Sequence, residues 1–525
     1  MKLSSLPKNS KVAVLGGGIS GLTFTYFLSK LRPDLNFQIF EKSSRIGGWI
    51  NSTKIITKND EEILLEKGPR TLRGIKDGSL IIVDILNQLG LENQTLGIHK
   101  NSIANKKYIL NQEGEIVQVP NNIASIFHFL KNVKWMDGKL YRGILKESFI
   151  KPLKQDETIE QFFKRRFGST VITDNIASAI LHGVYAGDVG KLSIKSVLPF
   201  LKQIENESGS VIKHIMKSMT KKKQTQPLSN GLQSYCSLIS PNTDFTSMKS
   251  KLKDYPMITF QDGLEVFPIA LSKYLQNKTN VKIHSNSKIE SVDPIEGIVN
   301  GEKFNHIRST INVHDLAKTL PPSNPLIPKL NSIEYISIFL ANVFTKNQLI
   351  PKNKPGFGFL VPRFQSYSSN PQALLGIVYD SDVEKNAKNI FKNTPLRNFN
   401  YDKITIMMGG HYYNHWNIPS DKVNLKIVKD ILKSKLNINL DKFNLKIVNP
   451  GESIESINDN DLIISYDLIT NCIPQYNLGY QEIKTDVESI LNQDYKLSFG
   501  GTVFGDGIGV PDCVINSFKD ALKLK

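Results

Sequence analysis

The sequence predicts a mixed α/β fold, and three observations predict it. Lys11–Leu15 is a short β-branched run that leads through a glycine-rich turn into an apolar helical pattern. Strand-like runs dominate Val281–Val313, Tyr335–Phe344 and Leu374–Tyr379. Helical signals cluster after Lys154, where Thr158-x-x-Gln161 reads as a capping box opening a helix over Ile159–Phe167.

The chain has 525 residues, 40% of them hydrophobic and 22% charged, which is enough apolar material for a sizeable core. At that length about three folding units are expected. The composition excludes a disordered tail, a collagen-like chain and a disulfide-stapled mini-domain. Cys236, Cys472 and Cys513 are widely separated, so neither a disulfide framework nor a cysteine-rich zinc site is predicted. The net charge is +17, but the lysines are scattered, many in stretches read as loops such as Lys217–Gln226 and Lys385–Asn400. No zinc-finger spacing or RNP-type aromatic run accompanies them, so no nucleic-acid partner is expected. An anionic membrane surface or an anionic small substrate would use the same charge. No stretch approaches the roughly 18 apolar residues of a spanning helix. Met1–Ser10 shows neither a secretory signal nor an arginine-bearing transit peptide.

After the strand Lys11–Leu15 come Gly16, Gly17, Gly18, Ile19, Ser20 and Gly21, then a helical pattern through Leu22, Tyr26, Phe27 and Leu31 that Pro33 ends. A second strand, Phe37–Phe40, closes on Glu41. Gly16 permits a tight turn, Gly18 lets the backbone approach a pyrophosphate, and Gly21 lets the helix pack on the sheet. The helix N-terminus offers free N–H groups and partial positive charge to the phosphates. Glu41 accepts from ribose hydroxyls and repels a 2′-phosphate, which disfavours NADP. Lys42, Arg45, Gly47, Gly48 and Trp49 follow directly. An NAD half-site needs no such extension, whereas a flavin needs its pyrophosphate and ribityl chain held. The run resembles the arginine–glycine–glycine extension of amine-oxidase-like flavoproteins, which implies non-covalent FAD.

Further blocks are Gly47-Gly-Trp-Ile50, Glu66-Lys-Gly-Pro-Arg-Thr-Leu-Arg73 (with Gly68, Pro69, Arg70 and Thr71), His182-Gly-Val-Tyr-Ala-Gly-Asp188 and Gly356-Phe-Gly-Phe-Leu-Val-Pro362. They continue through Leu375–Asp380, Asn471-Cys-Ile-Pro-Gln-Tyr476 and Gly507-Ile-Gly-Val-Pro-Asp-Cys513. In this order they resemble the protoporphyrinogen oxidase family, most closely its yeast-type mitochondrial members. The resemblance implies a p-hydroxybenzoate-hydroxylase-type architecture. It has a discontinuous GxGxxG FAD-binding domain (1–100, 251–315 and 471–525), an antiparallel-sheet substrate domain (101–120 and 316–470) and a helical membrane-binding domain (121–250). It also implies oxidation of protoporphyrinogen IX to protoporphyrin IX in haem synthesis, with hydride passing to FAD, molecular oxygen as acceptor and hydrogen peroxide as by-product. Peripheral attachment to the mitochondrial inner membrane is implied, and a homodimer is left open.

By the same resemblance, Asn286–Ser291 is the strand that offers backbone to the adenine, with Lys288 where an apolar residue is common. Ile508, Gly509 and Val510, leading into a helix over Asp512–Leu522, aim a helix N-terminus at the flavin. Phe357 and Leu360 are implied to sandwich a pyrrole ring, and Met407 lines the same cavity or is an ordinary strand residue. Lys106 faces a propionate or is a solvated loop charge. His182 occupies a helix end where relatives have Arg; a capping or solvent-facing role is expected. The stretch Asn122–Lys154 is basic and amphipathic, as suits an interfacial helix, or is a core helix with a basic face. Lys217–Asn230 is expected to be a loop. The rival readings are an amine oxidase or carotenoid-type desaturase of the same fold, for which Cys472 would be the candidate flavin anchor, and a flavin-free prenyl-protein escort. No metal site or acid–base constellation is predicted, because a flavin carries its own chemistry.

Overall fold

The computed structural model describes residues 5–56, 62–120, 138–220, 227–364, 367–392, 400–452, 454 and 456–525. Lys11–Leu15 forms the middle strand of a five-stranded sheet in the order Val281–His284, Asn36–Phe40, Lys11–Leu15, His306–Ser309, Leu497–Phe499. Every neighbouring pair is parallel. Such a sheet is covered on both faces, and most of its side chains are buried. Val12 and Val14 join one core with Leu22, Phe27, Leu271 and Phe518, while Ala13 and Leu15 join a second with Leu316, Leu330 and Leu497. The sheet is thus assembled from three distant sections of chain.

The second large sheet has eight strands in the order Asn444–Val448, Asp461–Pro474, Tyr335–Thr345, Asp402–Gly410, Leu374–Val378, Gly358–Leu360, Lys107–Leu110, Ile116–Gln118. Its central pairs are antiparallel. Register places Leu360, Gly376, Met407, Leu340 and Asp467 in one row across neighbouring strands. Because side chains alternate along a strand, this row shares one face. Phe339, Ile406 and Met408 belong to the buried core of the sheet.

Helices occupy much of the chain between Gly138 and Leu252. Ile159–Phe167 opens with the expected capping box: Thr158 Oγ1 accepts from the Gln161 N–H at 3.1 Å, and Gln161 Oε1 accepts from the Thr158 N–H at 2.9 Å. Lys217–Asn230 departs from the expected loop. Lys217–Thr220 belong to the helix Val211–Thr220 and Asn230 begins the next, because Val211, Ile212, Ile215 and Met216 supply helical spacing; 221–226 lies outside the described residues. Asn286–Ser291 is not a strand: the sheet strand ends at His284, and Asn286 takes a left-handed φ of 54° that turns the chain out of the sheet. Val281–Val313 divides into five short strands, and Val313 opens a helix. In Lys385–Asn400, Lys385 lies in the helix Asp380–Asn386 and Ala387–Asn389 forms a strand, while 393–399 lies outside the described residues. Among the described residues, no helix is long and apolar enough to cross a membrane.

Arg308 is 2% exposed and its Nη2 donates to Asp520 Oδ2 at 2.5 Å, joining the central sheet to the C-terminal helix Val510–Leu522. Removing one partner of a buried pair strands the other charge, at about 3–5 kcal/mol. Arg308→Met should lower the unfolding free energy by that order in denaturant titrations, and adding Asp520→Leu should restore part of it.

Candidate active site

Gly16 turns at φ 105°, and a side chain on Gly21 would collide with the Gly16 carbonyl oxygen, so both positions require glycine. The Gly17 N–H donates to Glu41 Oε2 at 2.9 Å, and the Ser43 N–H and hydroxyl donate to Oε1 at 2.9 and 2.8 Å. The helix Ile19–Leu31 starts at Gly18 with no side-chain cap and no acidic residue in its first turn. Its first N–H groups, including those of Ile19 and Ser20, therefore form an uncompensated positive end. Gly48, at φ 62°, lies against Gly18 so closely that a Cβ there would stand 3.0 Å from the Gly18 Cα, and the Gly47 N–H donates to Gly17 O at 3.0 Å. Two glycine turns are pressed together over a helix N-terminus.

Arg45 builds the second turn. Its Nη1 donates to Ile50 O at 2.8 Å and to Glu265 Oε1 at 2.7 Å, and its Nη2 donates to Gly48 O at 2.5 Å. Lys42 is exposed, 3.5 Å from Asp315, and Trp49 is 53% exposed. Beyond Glu41, the Asn286 N–H donates to Ser43 O at 3.0 Å and the Ser287 N–H to Glu41 O at 2.8 Å, which brings exposed Lys288 beside the ribose end. At the other end of the chain, Gly509 caps the helix Val510–Leu522; its N–H donates to Asp512 Oδ2 at 3.3 Å, and Asp512 pairs with Lys76 at 2.5 Å. Ile508 packs against the helical core around Tyr476 and Tyr480. Ser517 Oγ donates to Ser20 O at 3.1 Å, so the first and last helices lie side by side. The side-chain-free turns and open helix end fit a dinucleotide pyrophosphate.

The turn Gly68–Thr71 ties this half to the large sheet. A Cβ on Gly68 would strike the Trp49 carbonyl, and the Lys67 N–H donates to Asn51 O at 2.9 Å. Pro69 leads into Arg70, which is 10% exposed. Arg70 places Nη1 3.9 Å from Met407 Sδ and Nε 3.4 Å from Asp380 Oδ1, and donates from Nη2 to Glu66 O at 3.3 Å. Thr259 Oγ1 donates to Arg70 O at 3.1 Å, holding the turn just before Thr71.

Of the residues assigned to the substrate, Leu360 and Met407 share one row of the sheet, with Leu340 alongside. Phe357 sits elsewhere: it packs on the small cluster of Leu96, Ile98 and Met257, and its N–H donates to Lys106 O at 2.7 Å. Lys106 is half-buried. A residue that motif spacing did not single out is Gly183, where a Cβ would lie 3.0 Å from Leu360 Cδ2, so the helix end abuts the strand. Its place beside His182 in the motif was the available signal. Cys472 sits in the strand Asp461–Pro474, where burial pushes its thiol up to about 12, far from a reactive thiolate.

His182 is neither a cap nor solvent-facing. It is 3% exposed; Nδ1 bonds the Val361 carbonyl at 2.6 Å and Nε2 meets His411 Nε2 at 2.8 Å. A carbonyl only accepts, so His182 carries its proton on Nδ1 and His411 donates from Nε2. The helix end is folded into the protein by the packing of Ala186 against Gly410, which no local pattern shows.

Residues 19–456 match the family of flavin containing amine oxidoreductases. Protoporphyrinogen oxidase of Saccharomyces cerevisiae is 35% identical, the alignment covering 100% of this chain and 99% of that protein. Protoporphyrinogen oxidase of Schizosaccharomyces pombe is 28% identical, covering 98% of each. A solved structure provisionally named a protoporphyrinogen oxidase, from an Exiguobacterium species, superposes with a TM-score of 0.70 at 18% identity over 98% of this chain and 99% of its own, which shows the fold. The chain belongs to the flavin-containing amine oxidoreductases. Within them it groups with the protoporphyrinogen oxidases, and its cofactor is FAD.

Burial holds the His182 imidazole down at about 4, and burial beside His182 holds that of His411 well below its ordinary value. A depressed folded-state value gives stability that is complete above the unfolded value near 6.5 and declines as pH falls toward 4. The slope should approach about 1.4 kcal/mol per pH unit for each imidazole. Denaturant titrations across that window check this, and His182→Gln should flatten the decline.

Proposed function

We propose that this protein oxidises protoporphyrinogen IX to protoporphyrin IX with oxygen as acceptor and hydrogen peroxide as by-product, working as a peripheral protein of the mitochondrial inner membrane. The observation that carries the substrate is the end-to-end correspondence with the Saccharomyces cerevisiae enzyme, 35% identical over the whole of this chain. The site is consistent with it: an apolar row on the large sheet adjoins a glycine cradle.

FAD held between the two glycine turns would supply hydride acceptance. Gly16–Gly21 and the open helix end would hold the pyrophosphate, Glu41 the ribose, and the Gly509–Val510 helix start the flavin end. Leu360, Leu340 and Met407 form a flat, water-excluding floor. Gly183 keeps the opposite wall close to Leu360. Orientation of a flexible macrocycle over the cofactor is what such a chamber contributes. An escort protein without flavin would have no use for the Gly47–Gly48 turn that Arg45 braces. An amine oxidase with a cysteine-anchored flavin would need a reactive thiol, whereas the half-buried Cys472 thiol is pushed up to about 12.

Membrane attachment is supported by a surface of the helical region. The helix Gly138–Lys146 buries Leu140 at 3% exposure but leaves Leu145 at 76%, and the turn Glu147–Phe149 that follows leaves Phe149 at 84%. The adjacent helix Val211–Thr220 exposes Ile215 and Met216, and Lys213 Nζ donates to Ser148 O at 3.3 Å across the two. Lys146, Lys151 and Lys217 lie in or beside these segments, so apolar insertion and attraction to anionic lipid would act together. The part of the basic stretch at 122–137 lies outside the described residues.

Two outcomes test the function. The purified yellow protein should bleach when mixed anaerobically with protoporphyrinogen and should produce porphyrin fluorescence faster than autoxidation in air. Leu360→Ala should raise KM several-fold with the flavin spectrum unchanged; unchanged kinetics would remove Leu360 from the chamber. For the membrane, Phe149→Glu with Leu145→Glu should abolish co-sedimentation with cardiolipin-containing vesicles while leaving detergent-assayed turnover intact.

A further inference from the structure

Between the turn Gly68–Thr71 and the large sheet lies an enclosed pocket of about 50 Å³, lined among others by Glu66, Arg70, Asp380, Glu384 and Tyr401. That space accommodates a few water molecules at roughly 10–15 Å³ of accessible volume each. Two polar atoms of its lining, Arg70 Nε and Glu384 Oε2, are buried with no hydrogen-bond partner among the described residues. The lining is otherwise largely apolar, with Leu64, Leu96, Phe260 and Val383, so these two unpartnered atoms mark where ordered water would bond.

The pocket is wired to the apolar floor. Thr405 stands two residues before Met407 on the same strand and so on the same face. Its hydroxyl donates to Asp380 Oδ2 at 2.6 Å, and Asn342 Nδ2 donates to Thr405 Oγ1 at 2.7 Å. Asn342 is 1% exposed, and its Oδ1 has no hydrogen-bond partner among the described residues. A polar row, Thr405 and Asn342, therefore adjoins the row of Met407 and Leu340. Arg70 touches both sides, with Nη1 3.9 Å from Met407 Sδ and Nε 3.4 Å from Asp380 Oδ1. On the outer side, Tyr401 also lines an open cleft of about 460 Å³ together with Asp382, Lys385 and Asp402. Arg70 and Asp380 thus line the pocket on the side of the floor, and Tyr401 lines both pocket and cleft.

We propose that Asp380, Glu66 and Glu384, joined by water in this pocket, form a proton relay that takes the N–H proton released at each dehydrogenation and passes it outward past Tyr401. The inference rests on the porphyrinogen-oxidase reading. In the step, the electron pair of the substrate C–H bond leaves with its hydrogen as hydride to the flavin. The electron pair of the N–H bond becomes the second bond of a C=N, and the N–H proton enters the relay. Reduction of oxygen to hydrogen peroxide draws one proton back, so a full cycle is proton-neutral and the store needs to hold a proton only between the two halves. Glu66 and Glu384 are suited to such storage, since burial lifts Glu66 to about 7 and pushes Glu384 above its ordinary value. Glu384 Oε1 accepts from Lys403 Nζ, which leaves Oε2 for the pocket.

The test uses the flavin-loaded protein in weak buffer with a pH-sensitive dye, mixed anaerobically with protoporphyrinogen. The unaltered protein should release one proton per flavin bleached, in step with bleaching. In Asp380→Asn and Glu384→Gln, proton appearance should lag bleaching by about tenfold or more, while FAD absorbance and the surface control Asp486→Asn stay as in the parent. Without substrate, infrared difference spectra should show a carboxyl titrating at about 7 that disappears in Glu66→Gln. Proton release in step with bleaching in both relay variants, or a pocket carboxyl band unchanged by Glu66→Gln, would overturn the relay. Failure of the parent protein to bleach would instead strike the functional reading on which it rests.

Discussion

Contact between Gly18 and Gly48 is the constraint on which the rest of the structure depends. Two backbones approach there with no side chain between them, the second turn held by Arg45 through three carbonyl or carboxylate bonds. The acid that completes this clamp, Glu265, comes from the start of the helix Val266–Gln276, far along the chain. With the turns fixed, Trp49 and Asn51 hold Lys67 and Gly68, and Arg70 then reaches the large sheet. The positions of cofactor cradle and chamber floor follow from a sequence of backbone contacts, each of which tolerates almost no added volume.

Rigid elements surround the proposed chamber for related reasons. Its floor is a row of strand residues whose register is fixed by pairing on both sides, and one-residue slippage would exchange Met407 for Met408 and reverse the face. Its wall at Gly183 is anchored by the His182–His411 bond and by the close seat of Gly410 on Ala186. Burying a neutral imidazole pair is tolerable only because each bonded nitrogen has a partner. The same logic assigns a purpose to the Thr405–Asp380 bond, which sets a polar row next to an apolar one.

The glycine motif, the capping box at Thr158 and the strand Tyr335–Thr345 could be read directly, because each rests on local chemistry: backbone φ, a reciprocal cap, a continuous apolar run. The family blocks extended that reading along the chain because their order, rather than any one spacing, is informative. What could not be read depends on long-range contact. His182 looked like a helix-end residue until the strand ending at Gly410 was folded onto it. Asn286–Ser291 left the sheet because Asn286 adopts a left-handed turn, a choice several asparagines in this chain make. The separation of Phe357 from Leu360 was legible by contrast, since three positions apart they fall on opposite faces of an alternating strand. Glu66 and Asp380 each stand in a family block, but the pocket they share with Glu384 could not be read, because Glu66 comes from the strand Glu62–Glu66 and the other two from the helix Asp380–Asn386.

The hydrogen bond from Ser517 to Ser20 spans 497 positions of sequence, and Leu497–Phe499 supplies the last strand of the nucleotide sheet. A nascent chain therefore carries an unpaired sheet edge along His306–Ser309 until Leu497–Phe499 has been made. Contacts of such separation close slowly, and exposed edges recruit other strands meanwhile. The ribosome-bound protein should accordingly demand prolonged chaperone occupancy, and C-terminal truncations even of a few turns should aggregate rather than yield a smaller competent enzyme.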